Sequence, residues 1–66
     1  MEYIITVTKG NERKIISRHS NLDDALEAGK RAYEKSNRND VVSCITCNVD
    51  DDGKIKGQYI LYHSWF

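Results

Sequence analysis

Cys44 and Cys47 carry the most reactive side chains in this sequence, and two residues separate them. A Cys-x-x-Cys pair can cycle between dithiol and disulfide where it opens a helix, because the helix N-terminus lowers the thiol pKa. It can also form half of a zinc site, provided two further ligands stand at suitable spacing. Cys44-Ile45-Thr46-Cys47 lies instead in a run rich in β-branched residues and reads as strand. Residues three apart on a strand point to opposite faces. His19 and His63 are the only histidines. His63 can approach Cys44 on one face, which leaves Cys47 on the other. The expectation is a pair of buried structural thiols, with no metal and no cofactor.

Asp50-Asp51-Asp52-Gly53 invites a calcium reading. A calcium-binding helix-loop-helix spaces its acids at alternate positions and closes on a Glu at position twelve. Position 61 is Leu, so that pattern is absent. Asp accepts hydrogen bonds from its own backbone in turns, so a solvated hairpin turn is expected. Ser17, His19 and Asp23 or Asp24 fall close together in sequence, but a triad needs a base oriented in a formed pocket. The sequence carries no nucleophile elbow, phosphate loop or His-Glu-x-x-His motif. A chain this short also has little room for a concave pocket. A non-enzymatic role is expected.

Lys9, Arg13, Lys14, Arg18 and His19 cluster early, with Glu12 as the one nearby acid. Arg13, Lys14 and Arg18 could contact phosphates while exposed aromatics stack on bases. In an unbroken strand, Lys14 and Arg18 share one face and Arg13 takes the other. No RNA-recognition motif, zinc finger or glycine-lysine clamp is legible. Charges on an edge strand also guard against sheet-to-sheet aggregation. Nucleic-acid binding is therefore the alternative reading.

These residues must be positioned by very few elements. The chain has 66 residues, with 10 Lys plus Arg against 10 Asp plus Glu, for a formal net charge of zero. That balance excludes a bulk non-specific DNA coater, whose affinity needs net positive charge. It equally excludes an acidic nucleic-acid mimic. The length bounds the chain to one small domain over residues 1–66, with a marginal core that self-association would enlarge. No apolar run approaches the roughly 20 residues that span a bilayer. The opening MEYIITVTKG lacks the basic and apolar regions of a secretory signal. The expected compartment is the reducing cytosol, with no membrane contact.

Tyr3 to Lys9 is rich in β-branched residues, and Gly10-Asn11 is a hairpin signal. That loop puts Lys9 opposite Glu12, Thr6 opposite Ile15 and Ile5 opposite Ile16, in a second strand from Arg13 to Arg18. Asn21 is a good helix N-cap, followed by Asp23 and Asp24 in the first turn. Leu22, Ala25, Leu26, Gly29, Ala32 and Tyr33 then make one stripe at helical spacing. Glu27 reaches Arg31 at i+4, and Glu34 reaches Arg38 if the helix runs that far. Gly29 within the stripe predicts close approach of helix to sheet. Strand three covers Val41 to Val49. With Asp52-Gly53 as the loop, strand four puts Ile60 opposite Ile45, Leu61 opposite Cys44 and His63 opposite Val42.

The expected fold class is α+β: a ββαββ chain with a four-stranded, mainly antiparallel sheet and one helix packed on one face. Strand order stays open. This layout is similar to that of small bacterial and phage-borne proteins, without a diagnostic motif behind the likeness.

One helix covers one face, yet the second hairpin is apolar on both. One side carries Val41, Ile45, Cys47, Ile60 and Tyr62, and the other carries Val42, Cys44, Tyr59, Leu61 and Trp65. Strands apolar on both faces are usually covered on both. Tyr59, Leu61, Tyr62 and Trp65 are therefore the interface candidates. The expectation is a protein-interaction module, self-associating as a homodimer through the helix-free face or an edge strand.

Overall fold

The computed structural model describes residues 2–37 and 39–65. The element order is β1 (Glu2–Lys9), β2 (Glu12–His19), α1 (Leu22–Lys35), β3 (Val41–Val49) and β4 (Ile55–Trp65). All neighbouring strands pair antiparallel in one sheet of order β2-β1-β3-β4. β1 and β3 thus lie side by side in the centre, the helix carries the chain from β2 across β1 to β3, and β2 and β4 are the edges.

The helix starts as its cap predicts. Asn21 Oδ1 accepts from the amides of Asp23 at 2.8 Å and Asp24 at 3.4 Å. Glu27 and Arg31 pair at 2.7 Å. The helix stops at Lys35, where the Ser36 amide donates to the Tyr33 carbonyl at 3.1 Å. Arg38 lies outside the described residues. The inward stripe is narrower and smaller than expected. Ala25 and Gly29 are buried and Ala28 and Ala32 pack beside them, whereas Tyr33 is exposed. Small residues let the helix lie close to the sheet. At Gly29 a Cβ would overlap the six-membered ring of Trp65.

The first hairpin keeps Lys9 opposite Glu12 and Thr6 opposite Ile15, but Ile5 faces Ser17 rather than Ile16. A bulge leaves Ile16 as the extra residue, and such a residue reverses the facing of everything beyond it. Arg18 therefore joins Arg13 on the helix-free face, beside Ile4 and Thr8, while Lys14 sits opposite Val7 on the helix face. The expected Lys14–Arg18 pairing of faces is corrected accordingly.

The second hairpin departs further. Its connection is the five-residue stretch 50–54 rather than the dipeptide Asp52-Gly53. Asp50 Oδ1 accepts from the amides of Asp52 at 3.0 Å and Lys54 at 2.9 Å, so this carboxylate is spent on the turn. Two irregularities then shift the register, which runs Thr46 with Ile60, Ile45 with Leu61, Cys44 with His63 and Val42 with Trp65. Ile60 consequently lies on the helix side and Leu61 on the helix-free side, the reverse of the expectation. Tyr62 also turns to the helix side, edge-to-face with Tyr3 at 6.4 Å between ring centroids.

Two cores result. On the helix side Ile5, Val7, Ala25, Val42 and Cys44 are buried, with Tyr3, Ala28, Ala32 and Trp65 packed against them. On the helix-free side Ile4, Ile45 and Cys47 form a second cluster, joined by Val49 and Ile55. Ile4 is 0% exposed and Ile45 1%, with no helix above them. The cover comes from the sheet itself. The far end of the second hairpin carries Val49 and Ile55 onto this face, and the Arg18 guanidinium lies beside Gly53 in its turn.

Candidate interaction surface

The reach of Arg13 shows how strongly the sheet coils. Arg13 is level with Thr8 and Val41, and Tyr59 is next to Ile60, which is level with Thr46. In a flat sheet their rows would be about 20 Å apart along the strands, with about 14 Å between the edges. Arg13 nonetheless donates to the Tyr59 hydroxyl, and its guanidinium carbon stands 4.9 Å from the Tyr59 ring centroid. Twist brings diagonal corners of a sheet together, and the bulges that shift the register of both hairpins increase it. The corner contact closes one end of the helix-free face and the Arg18–Gly53 contact closes the other.

The nucleic-acid candidates do not share one surface. Arg13 and Arg18 lie on the helix-free side and touch the second hairpin, while Lys14 lines a groove on the other side. That groove, about 360 Å³, runs between β2 and the C-terminal half of α1. Val7, Ile16 and Ala32 line it together with Lys9, Lys14, Lys35, Glu12 and Asp40. Lys9 stands 3.9 Å from the buried Asp40 carboxylate.

Cys44 and Cys47 are both buried as free thiols, on opposite sides of the sheet. Burial raises the pKa of each, and the nearby Glu2 carboxylate raises that of Cys47 further. His63 is level with Cys44 but not Cys47. Among the described residues no three His, Cys, Asp or Glu side chains converge as metal ligands. His19 Nε2 and Ser17 Oγ lie 2.8 Å apart. Asp24 lines the same shallow cleft, yet among the described residues no hydrogen bond joins it to His19.

The interface candidates divide. Trp65 is half-buried beneath Gly29 and belongs to the helix-side core. Tyr59, Leu61 and Tyr62 are exposed, and so is Ile60, which is not among those candidates. The fractions are 42% for Tyr59, 69% for Ile60, 58% for Leu61 and 52% for Tyr62, so four consecutive large apolar side chains face solvent. They occupy the middle of an edge strand, with Ile60 and Tyr62 to one side of the sheet and Tyr59 and Leu61 to the other. The signal for Ile60 was its place in this uninterrupted apolar run.

The molecule is thus a ββαββ sheet-and-helix fold with one charged edge and one apolar edge. No family model, curated protein or solved structure matches the chain. Among the described residues no helix is long and apolar enough to cross a membrane.

Proposed function

We propose that this chain is a non-enzymatic protein-interaction module that self-associates, and that β4 carries the contact. The supporting observation is the run Tyr59-Ile60-Leu61-Tyr62, four exposed apolar side chains in a row on an edge strand. Exposed apolar clusters of this kind mark interaction sites, and an unpaired strand edge is a template for another chain. The helix-free face is the weaker alternative surface, because its centre is filled by the chain's own second core. Two buried, unpaired thiols suit a reducing compartment, and we assign the protein to the cytosol on that basis.

Sedimentation across a wide concentration range tests the proposal. Self-association should be present in the parent chain and lost in Leu61→Asp and Tyr62→Asp. A strictly monomeric chain at high concentration, indifferent to both changes, would overturn it. Salt-sensitive binding to nucleic acid that disappears when Arg13, Lys14 and Arg18 become Ala would favour the alternative reading instead.

A further inference from the structure

We infer that the partner of β4 is a second β4, paired antiparallel across a two-fold axis so that two four-stranded sheets join into one of eight strands. This rests on the proposal that the chain self-associates and specifies how. The two edges of the sheet differ in kind. β2 carries Glu12, Arg13, Lys14 and Arg18 along its eight residues. From Gly57 to Trp65, β4 carries no Asp, Glu, Lys or Arg at all. Natural sheets keep solitary edges apart with charge, and a long neutral apolar edge left open is an aggregation site. The guarded edge is built to stay free and the unguarded one to be covered.

The pattern on β4 selects its own copy as the cover. A two-fold axis perpendicular to the sheet keeps each face on its own side. Ile60 and Tyr62 then meet their equivalents on the helix side, while Tyr59 and Leu61 meet theirs on the other. A partner strand must be apolar on both faces along its middle to match, and β2 of another copy has only Ile15 and Ile16 between Glu12-Arg13-Lys14 on one side and Arg18 on the other. The exposed area agrees. The chain presents 4929 Å² to solvent, against about 4,300 Å² for a folded monomer of 7.6 kDa. An excess of roughly 600 Å² per chain is close to the ~800 Å² that each partner contributes to a specific interface.

Sedimentation combined with backbone amide exchange on the full chain separates this arrangement from self-association in general. The expected results are a limiting mass twice that of the chain, and outward-pointing β4 amides whose exchange slows as concentration rises while the outward-pointing β2 amides stay fast. Ile60→Lys should raise the dimer dissociation constant at least tenfold. Ile16→Lys on the other edge, where the parent side chain is 53% exposed, should leave it unchanged. Both side chains face solvent, so neither change removes a core contact, and circular dichroism confirms the fold. A dimer whose β4 amides stay fast would overturn the edge pairing and leave self-association standing. A mass that keeps growing beyond two chains would overturn the two-fold. A monomer throughout would overturn both proposals.

Discussion

Cys44 shows how burial turns a reactive residue into a structural one. Its thiol is 0% exposed, and loss of hydration raises its pKa above the ordinary 9.0. Thiolates, not thiols, are the nucleophiles, so both cysteines should resist alkylation in the native state and react only on unfolding. Reaction of either thiol at the rate of free cysteine, followed by mass spectrometry without denaturant, would contradict the buried placement. The sign of the pH effect follows from the same burial. The raised folded pKa means that the unfolded chain gives up its thiol protons first. Their contribution to stability is complete below the unfolded value and is lost as pH rises above it towards the folded value. Urea midpoints should fall on the alkaline side of about pH 9, and Cys44→Ala should shrink that fall.

Gly29 is the second residue on which the helix side depends. Ala would be the better helix former by about 1 kcal/mol, yet its methyl group would enter the Trp65 ring. Overpacking costs about 1–3 kcal/mol, so a net loss of up to about 2 kcal/mol is expected for Gly29→Ala. Urea denaturation followed by Trp65 fluorescence measures it, and a stabilised variant would refute the close approach. This contact was half legible. A Gly in the helical stripe announced a near neighbour, but only the fold identified that neighbour as the aromatic residue at the far end of the chain.

At the scale of elements, the bulges are the decisive features. Ile16 and Tyr62 are each a single extra residue and reverse the facing of those beyond them, whereas the break between Thr46 and Asn48 adds two residues to β4 and preserves it. Unbroken alternation therefore puts Arg13 and Arg18 on opposite faces, and a two-residue turn puts Ile60 with Ile45, whereas the five-residue turn moves Ile60 to the other face. Nothing in the residue types marks the extra residue at Ile16, because Ile suits either face. Gly57 was a weak sign, since an isolated Gly in a strand pattern suggests a bulge. Its φ of +74° falls in the left-handed region, where an L side chain costs roughly 1–2 kcal/mol. Gly57→Ala should lower stability by about that amount in a urea titration. Arg13→Ala tests the far corner of the same coil. Losing its contact with Tyr59 should speed amide exchange at Val49 and Ile55, where the hairpin folds over the second core.

For the whole molecule, the governing fact is that a small chain has built two shallow cores instead of one deep one. The helix covers the first, and the curled hairpin covers the second. Ile15 with Ile16, Tyr33 and Val41 are exposed at separate places, and the longest continuous exposed apolar run among the described residues is on β4. A thermal midpoint that rises with protein concentration is the expected signature, because a partner that binds only the folded chain stabilises it by mass action. Ile60→Lys should abolish that dependence and leave the dilute-solution midpoint nearly unchanged. A midpoint independent of concentration in the parent chain would count against the dimer.

The amino-acid sequence by itself determined the element order, the helix cap, the first hairpin connection and the opposite facing of the two cysteines. Each of these follows from residues adjacent in the chain, through turn chemistry, capping and strand or helix period. The tertiary structure alone decided the strand order, the registers beyond the bulges, and the use of Arg13, Arg18 and Trp65 as internal contacts. It also decided that the helix-free face is filled from within, so that the apolar excess lies at an edge. Those outcomes depend on the coiling of the sheet, which accumulates over all four strands and is written in no local stretch of residues.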